Sequence, residues 1–204
     1  MPQRPILAIG GWMTSGKDAF ADRLVDEHGW TKLAMGELIL EMMLIENPWI
    51  LVTEQDAASL GQRIAPGFHR TSDIIERLDY VTAKTIVDFR EYMQRLGDAA
   101  RTVIGPNTWS DAMSRRLDRL IADGHRIVFT GTRFPNELGM FLSRGATSIW
   151  IDRPGVSAPA NAHKTELGLT REEFDENILN DGTLADLYVQ ADAFAARFPA
   201  AVGE

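Results

Sequence analysis

The chain contains no cysteine, and this absence excludes several kinds of site at once. Without thiols there can be no disulfide bond and no thiolate ligand for zinc. No apolar run reaches the roughly 20 residues that a transmembrane helix needs, so we expect no membrane span. Residues 1–5, Met-Pro-Gln-Arg-Pro, lack the apolar core of a signal peptide, so we expect a cytoplasmic protein.

Positive charge is scarce relative to negative charge. The 21 Lys and Arg residues face 29 Asp and Glu residues, which gives a formal net charge of −8. Non-specific binding to nucleic acid relies on Lys and Arg side chains that displace counterions, so this balance disfavours a nucleic-acid partner. The length of 204 residues and the 45% content of hydrophobic residues predict one domain with a sizeable core.

The most informative segment is the glycine-rich stretch 11–18, Gly-Trp-Met-Thr-Ser-Gly-Lys-Asp. It follows an apolar, strand-like run, Pro5–Ile9, and precedes a helical pattern over Asp18–His28. In that setting the loop turns backbone N–H groups toward one point, and the helix N-terminus adds positive potential there. We expect the Lys17 ammonium near the β- and γ-phosphates of a nucleoside triphosphate. The predicted phosphate-binding residues are Gly11, Thr14, Ser15, Gly16, Lys17 and Asp18.

Asp18 departs from the usual pattern, in which Ser or Thr at this position offers a hydroxyl to magnesium. A carboxylate can also bind a hard cation, either directly or through water, and the N-terminus of a helix tolerates negative charge. We therefore predict that Asp18 contacts Mg²⁺. The local sequence leaves one alternative open, an ordinary glycine-rich turn beside a surface lysine.

Strand-like and helix-like segments alternate along the chain. The predicted strands are Pro5–Ile9, Trp30–Met35, Arg126–Thr130, Thr147–Ile151 and Asp175–Asn180, and the predicted helices are Asp18–His28, Gly36–Glu46, Asn136–Arg144 and one that Thr183 caps and that runs toward Phe194. The middle, 48–120, has helical periodicity and few strand signals. Such alternation predicts a parallel sheet covered on both faces, with a ligand crevice beyond the carboxyl ends of the strands.

Several cationic residues could hold a phosphate acceptor. Arg133 comes just after the strand that ends at Thr130, so we expect it to reach the crevice. Arg95 and Arg101 could each clamp a phosphate through two hydrogen bonds, although solvated surface arginines explain the same pattern. Asn136 and Glu137 begin the helix after Arg133 and join the candidate set; the alternative is an ordinary helix start.

Trp109 and His163 have competing interpretations. Trp109 could stack on a nucleobase, but a half-buried core position is the more common use of such a residue. His163 and Glu166 follow a flexible-looking stretch, Pro154–Ala162, which is either an exposed loop or a lid. No spacing of His, Asp or Glu in the sequence indicates a metal cluster.

Six motifs, in order along the chain, resemble those of the bacteriophage-type deoxynucleoside monophosphate kinases, a branch of the P-loop kinases. They are Gly11-Trp-Met-Thr-Ser-Gly-Lys-Asp18, Gln94-Arg-Leu-Gly97, Asn107-Thr-Trp109, Arg133-Phe-Pro-Asn-Glu137, His163-Lys-Thr-Glu166 and Asn180-Asp-Gly-Thr-Leu184. The resemblance implies a single P-loop kinase domain over residues 1–204, a three-layer α/β/α fold with a five-stranded parallel sheet. It also implies a helical substrate-binding insertion at about 37–120 and a small lid at about 153–170.

The resemblance further implies transfer of the ATP γ-phosphate to a deoxynucleoside 5′-monophosphate, with Mg²⁺. Lys17 and Arg133 match the family's catalytic positions, and Gln94 and Arg95 match residues near the deoxynucleotide. The predicted substrate-binding set is Gln94, Arg95, Arg101, Trp109, Arg133, Asn136 and Glu137, and the predicted lid residues are His163 and Glu166. A homodimer stays open as the assembly, and a phage-encoded chain would act in the host cytoplasm.

One position departs from the family pattern. The family commonly carries Asp two residues before the motif arginine, and this chain has Gly131 there. Because an acidic group at that strand end helps to hold magnesium or its waters, two alternatives remain. The acceptor could be a hydroxyl of a modified base in DNA, or the protein could bind nucleotide with weak or no transfer. The preferred base is left undetermined.

Overall fold

The structure, a computed structural model, describes residues 5–157 and 168–198. The chain divides into two compact units, which we call the sheet unit (1–35 and 110–204) and the inserted unit (36–109). Within the described residues, no helix is both long enough and apolar enough to cross a membrane.

The elements follow the predicted alternation closely outside the inserted unit. The strands are β1 (Ile6–Gly10), β2 (Thr31–Ala34), β3 (Trp49–Val52), β4 (Gly67–Arg70), β5 (Ile127–Thr130), β6 (Thr147–Asp152) and β7 (Glu176–Leu179). The helices are α1 (Lys17–His28), α2 (Met35–Glu46), α3 (Glu54–Ser59), α4 (Thr71–Arg77), α5 (Tyr80–Ala83), α6 (Val87–Val103), α7 (Thr108–Ala122), α8 (Pro135–Leu142) and α9 (Leu184–Ala196), with a short 3₁₀ helix at Arg171–Glu173. Thr183 caps α9 as predicted, because its hydroxyl accepts a hydrogen bond from the Asp186 N–H.

The sheet unit contains a five-stranded sheet in the order β2-β5-β1-β6-β7, and every neighbouring pair is parallel. β1 and β5 are buried along their whole length, as expected for central strands covered on both sides. The predicted five-stranded parallel sheet is therefore confirmed. Because β1 lies between β5 and β6, the loops that follow these three strands emerge side by side at one edge.

Helices cover the two faces of this sheet. On one face α1 and α9 pack against β1 and β6, with Phe20 and Phe194 ring centroids 6.1 Å apart. On the other face Phe141 of α8 contacts Phe129 of β5 at 4.4 Å. Burial of each such side chain contributes about 1.5–3 kcal/mol. The layers are therefore helix, sheet and helix, which confirms the predicted α/β/α class.

The inserted unit holds a feature that the sequence interpretation missed. β3 and β4 form an antiparallel pair, although we expected few strands in residues 48–120. Ile50 and Val52 point into this unit's core, whereas Trp49 and Leu51 are exposed. Only four residues alternate in β3, and β4 has no buried residue, so no periodic signal was long enough to stand out against the surrounding helices.

Candidate functional site

The glycine-rich loop after β1 has the backbone of an anion-binding loop. Gly11 has φ +144°, Thr14 +66° and Gly16 +102°, so the chain repeatedly enters the left-handed region. The Ser15 N–H donates to the Trp12 carbonyl at 3.1 Å, and Gly16 forms the N-cap of α1. Left-handed residues interspersed among right-handed ones turn neighbouring N–H groups toward a common point at the start of a helix.

Close packing around the loop explains why residues 11 and 16 are both glycine. A Cβ at Gly11 would lie 2.7 Å from the Ile151 carbonyl oxygen, and one at Gly16 would lie 2.6 Å from Nδ2 of Asn180. Asn180 is buried, and its Nδ2 donates to the Ser15 carbonyl at 2.8 Å. Asn180 thus braces the loop from the end of β7. The sequence interpretation had included it in a motif without assigning it a role.

Lys17 and Asp18 begin α1 at the end of this loop. The Lys17 ammonium donates to the Trp12 carbonyl at 3.3 Å and lies 3.9 Å from the Asp18 carboxylate. The Lys17 side chain is only 13% exposed, so its charge is held against the loop. The Asp18 side chain is 61% exposed, and one carboxylate oxygen lies 3.5 Å from the Lys32 ammonium. Asp18 is therefore accessible at the same end of α1.

The end of β5 forms the neighbouring wall. The N–H groups of Gly131 and Thr132 both donate to the Ile9 carbonyl, at 3.1 and 3.2 Å, and Gly131 has φ +82°. The chain turns away from the sheet there and leaves Arg133 exposed. The buried Glu137 carboxylate accepts hydrogen bonds from the N–H groups of Arg133 and Phe134, at 2.9 and 3.3 Å.

One cleft joins the loop to that wall. Its lining residues are Gly11, Trp12, Met13, Lys17, Gly131, Thr132, Arg133, Trp150 and Leu169. The structure therefore brings the two predicted catalytic cations, Lys17 and Arg133, to one cleft. Two buried hydroxyls near it, on Ser15 and Thr132, have no hydrogen-bond partner among the described residues. Among the described residues, no acidic residue and no histidine lines the cleft.

Two predicted residues of the sheet unit have contacts within the protein. Glu137 satisfies the backbone of the Arg133 turn, as described above, so its carboxylate is a structural acceptor. The Asn136 amide donates to the Ser110 hydroxyl at 3.3 Å, and Asn136 is exposed. His163 and Glu166, predicted for the lid, lie outside the described residues.

Four predicted substrate-binding residues belong to the inserted unit. Gln94 and Arg95 are exposed on α6, where Arg95 lies 3.6 Å from the Glu91 carboxylate. The Arg101 guanidinium lies 3.5 Å from the Asp98 carboxylate. Trp109 is only 6% exposed, and its Nε1 donates to the Gly97 carbonyl at 2.9 Å. The Trp109 ring is thus a packed core group, the alternative that its chemistry had favoured.

Helix α1 is connected to α9 through the Asp192 carboxylate of α9. Arg23 donates two hydrogen bonds of 2.9 Å to the Asp192 carboxylate, and Nε2 of His28 lies 2.8 Å from it. These partners, Arg23 foremost, lower the pKa of Asp192 to about 2. The helix that begins at Lys17 is therefore tied to α9 by a charge-assisted network.

Two comparisons with known proteins match the same family, by a sequence profile and by a relative. The sequence profile described as deoxynucleotide monophosphate kinase matches residues 61–191. A deoxynucleotide monophosphate kinase from Escherichia phage RB69 is 35% identical over 101 residues, which cover 48% of this chain and 41% of that protein's length. The chain thus aligns with less than half of this relative.

Solved structures that this chain matches include kinases. Dephospho-CoA kinase from Campylobacter jejuni is 12% identical, with 96% of this chain and 97% of that chain covered and a TM-score of 0.47. TT1252 from Thermus thermophilus is 18% identical, with 97% and 100% covered and a TM-score of 0.45. The profile, by contrast, matches more than half of the chain. The chain therefore belongs to the deoxynucleotide monophosphate kinase family.

Proposed function

We propose that this protein transfers the γ-phosphate of ATP to the 5′-phosphate of a deoxynucleoside monophosphate. The observation that carries the proposal is that one cleft has both Lys17 and Arg133 in its lining. A cationic cleft suits an anionic donor and an anionic acceptor together. Family membership supports the same acceptor class.

A phosphate acceptor needs no general base, because its attacking oxygen is already anionic. Catalysis then rests on alignment of donor and acceptor and on stabilisation of the charge that spreads over the transferred group. In this proposal the Lys17 ammonium leaves the Trp12 carbonyl for the phosphate oxygens. Arg133 neutralises the opposite side of the transferred group.

The residues at the start of α1 fit a magnesium ion that arrives with the nucleotide. Mg²⁺ keeps several waters and commonly takes one or two carboxylates plus substrate phosphates. The exposed Asp18 carboxylate supplies one such ligand, and the same loop holds the buried Ser15 hydroxyl, which has no hydrogen-bond partner among the residues described. The described residues contain no cluster of three or more His, Asp or Glu, so we propose no site formed by protein ligands alone. When bound, the ion would neutralise phosphate charge.

We further propose that the inserted unit supplies acceptor binding through Gln94, Arg95 and Arg101, and that residues 153–170 act as a lid. Closure of such segments excludes water, which otherwise would hydrolyse ATP. We propose that the protein acts in the cytoplasm, which is the host's cytoplasm if a phage encodes the chain. The similarity to a phage protein supports this proposal. A homodimer is our proposed assembly to test by light scattering.

A hydroxyl acceptor, such as a modified base in DNA, is the weaker hypothesis. Transfer to a hydroxyl benefits from a carboxylate or histidine base within hydrogen-bond reach. Asp18 is the acidic residue of the loop, but it is not among the lining residues of the cleft. The net charge of −8 also disfavours a polyanionic substrate.

The decisive experiment is a coupled ADP-release assay with Mg²⁺ and ATP. The acceptors should include ribo- and deoxynucleoside monophosphates, natural and base-modified, and hydroxymethylated DNA. We expect release with one or a few deoxynucleoside monophosphates. Release with DNA alone would support the hydroxyl hypothesis, and ATP binding without release for any acceptor would support a protein that only binds nucleotide.

A further inference from the structure

The turn after β5 buries a hydroxyl for which the described residues offer no hydrogen-bond partner. Thr132 is 4% exposed, and its Oγ1 has no hydrogen-bond partner among the described residues. Buried polar groups in folded proteins are nearly always paired, and an unpaired one costs stability. Valine has almost the same shape as threonine and would avoid this cost. A threonine at this position is therefore best explained by a partner outside the described residues.

The backbone explains why this side chain reaches the cleft. Gly131 has no side chain and takes φ +82°, so Thr132 supplies the first side chain after β5. The Thr132 N–H is already satisfied by the Ile9 carbonyl at 3.2 Å. Its hydroxyl is thus left for another partner, and Thr132 lines the same cleft as Lys17 and Arg133.

We infer that the Thr132 side chain rotates when nucleotide binds, and that its hydroxyl, which is closed to solvent in this structure, then donates a hydrogen bond to a phosphate oxygen and so positions it for transfer. The inference rests on the proposed function, because two cations in the lining select an anionic ligand. Phosphate oxygens only accept hydrogen bonds, so the hydroxyl acts as the donor. It stands next to Gly131, where the family commonly has a carboxylate, but it plays a different role: it binds phosphate.

The phosphate can belong to ATP or to the acceptor, and kinetics separate the two. We would measure kcat and KM for each substrate, with the other saturating, in wild type, Thr132→Val and Thr132→Ser. We expect kcat/KM to fall roughly tenfold or more in Thr132→Val for the nucleotide whose phosphate is bound. Thr132→Ser keeps a hydroxyl and should stay within a few-fold of wild type.

A matched control comes from Thr71, which is fully buried in the inserted unit and donates to the Pro48 carbonyl at 3.3 Å. Thr71→Val removes a satisfied hydroxyl, so its melting temperature should fall while kcat and KM stay unchanged. Thr132→Val should show the opposite pattern, an unchanged or raised melting temperature with impaired kinetics.

The outcomes of this experiment are distinct. If wild type transfers phosphate and Thr132→Val has wild-type constants for both substrates, the inference is overturned and the proposed function stands. If wild type transfers phosphate to no acceptor, the proposed function fails. In that event nucleotide affinity decides the inference: weaker binding of ATP or of a deoxynucleoside monophosphate by Thr132→Val than by wild type supports it, and equal binding of both overturns it.

Discussion

At the scale of single residues, Lys17 is the group on which the proposed chemistry depends most. Its side chain is 13% exposed, and its ammonium donates a hydrogen bond to the carbonyl of Trp12, a residue of the loop that would hold the phosphates. It thus needs to move only a short way to meet a ligand. No other lysine lines the cleft in the described part of the chain.

Lys17→Ala should lower kcat by roughly a hundredfold or more, since removal of one preorganised charge donor typically costs that much. The fold should survive, because the side chain contributes little apolar packing. Steady-state kinetics together with circular dichroism would check both statements. Lys84→Ala, which removes a lysine that lies over Tyr80 in the inserted unit, is the control. A folded Lys17→Ala protein with near-normal transfer would refute the site assignment.

Residue-scale contacts also show which roles the residue type alone leaves open. Glu137 and Trp109 were predicted to bind substrate, and the structure gives each a partner inside the protein. Asn180 and Thr132, by contrast, had no assigned role, yet one braces the loop and the other lines the cleft. The type of a residue indicates what it can bond to, but only its neighbours decide which bond is made.

At the scale of elements, the segment before the 3₁₀ helix meets the turn after β5. A Cβ built on Gly168 would overlap the carbonyl oxygen of Arg133 and approach Phe134 at 3.5 Å. Both neighbours belong to the turn that presents Arg133. Glycine at 168 therefore allows two backbone segments to touch where the sequence separates them by more than thirty positions.

Gly168→Ala should displace the Arg133 backbone and lower kcat several-fold, with a lower melting temperature. The matched control is Gly139→Ala in α8, where no heavy atom lies within 4 Å of the added Cβ. Alanine is the better helix former by about 1 kcal/mol, so this control should raise the melting temperature by a few degrees. Equal kinetics for both variants would contradict the proposed coupling of Gly168 to Arg133.

The elements themselves were predicted with uneven success. The sheet strands carry buried apolar runs, as in Ile127–Thr130, and such runs are visible in any window of sequence. The β3–β4 pair was missed because Ile50 and Val52 alternate over only four residues. A pair of short strands is stabilised mainly by the side chains that pack against it, here the core of the inserted unit, and those side chains lie elsewhere in the chain.

At the scale of the whole molecule, α1 and α9 come from opposite ends of the chain and share one face of the sheet. Besides apolar packing, the Asp192 carboxylate connects them through Arg23 and His28. Its pKa falls from 3.8 to about 2 in the folded protein. A carboxyl group whose pKa is lowered by folding stabilises the folded protein at every pH above its unfolded pKa. This contribution is lost as the pH falls from 3.8 toward 2.

Asp192→Asn should therefore be less stable than wild type near pH 6, and the difference should shrink as the pH approaches 2. Because Asp192 is partly exposed, we expect a modest effect. Urea unfolding midpoints at several pH values between 6 and 2.5 would measure it. Asp123→Asn makes the same charge change at an exposed carboxylate without a partner among the described residues, so it should track wild type. A pH-independent gap for Asp192→Asn would argue against the ion-pair explanation.

The sequence alone determined the layer order of this protein, the parallel sheet and the position of the glycine-rich loop between β1 and α1. These features follow from apolar periodicity and glycine spacing, which act between residues close in the chain. Only the tertiary structure decided that Asn180 supports Ser15 from 165 residues away, and that Thr132 lines one cleft with Lys17 and Arg133. Such contacts depend on which strand ends meet at one edge of the sheet, and no local pattern encodes that meeting.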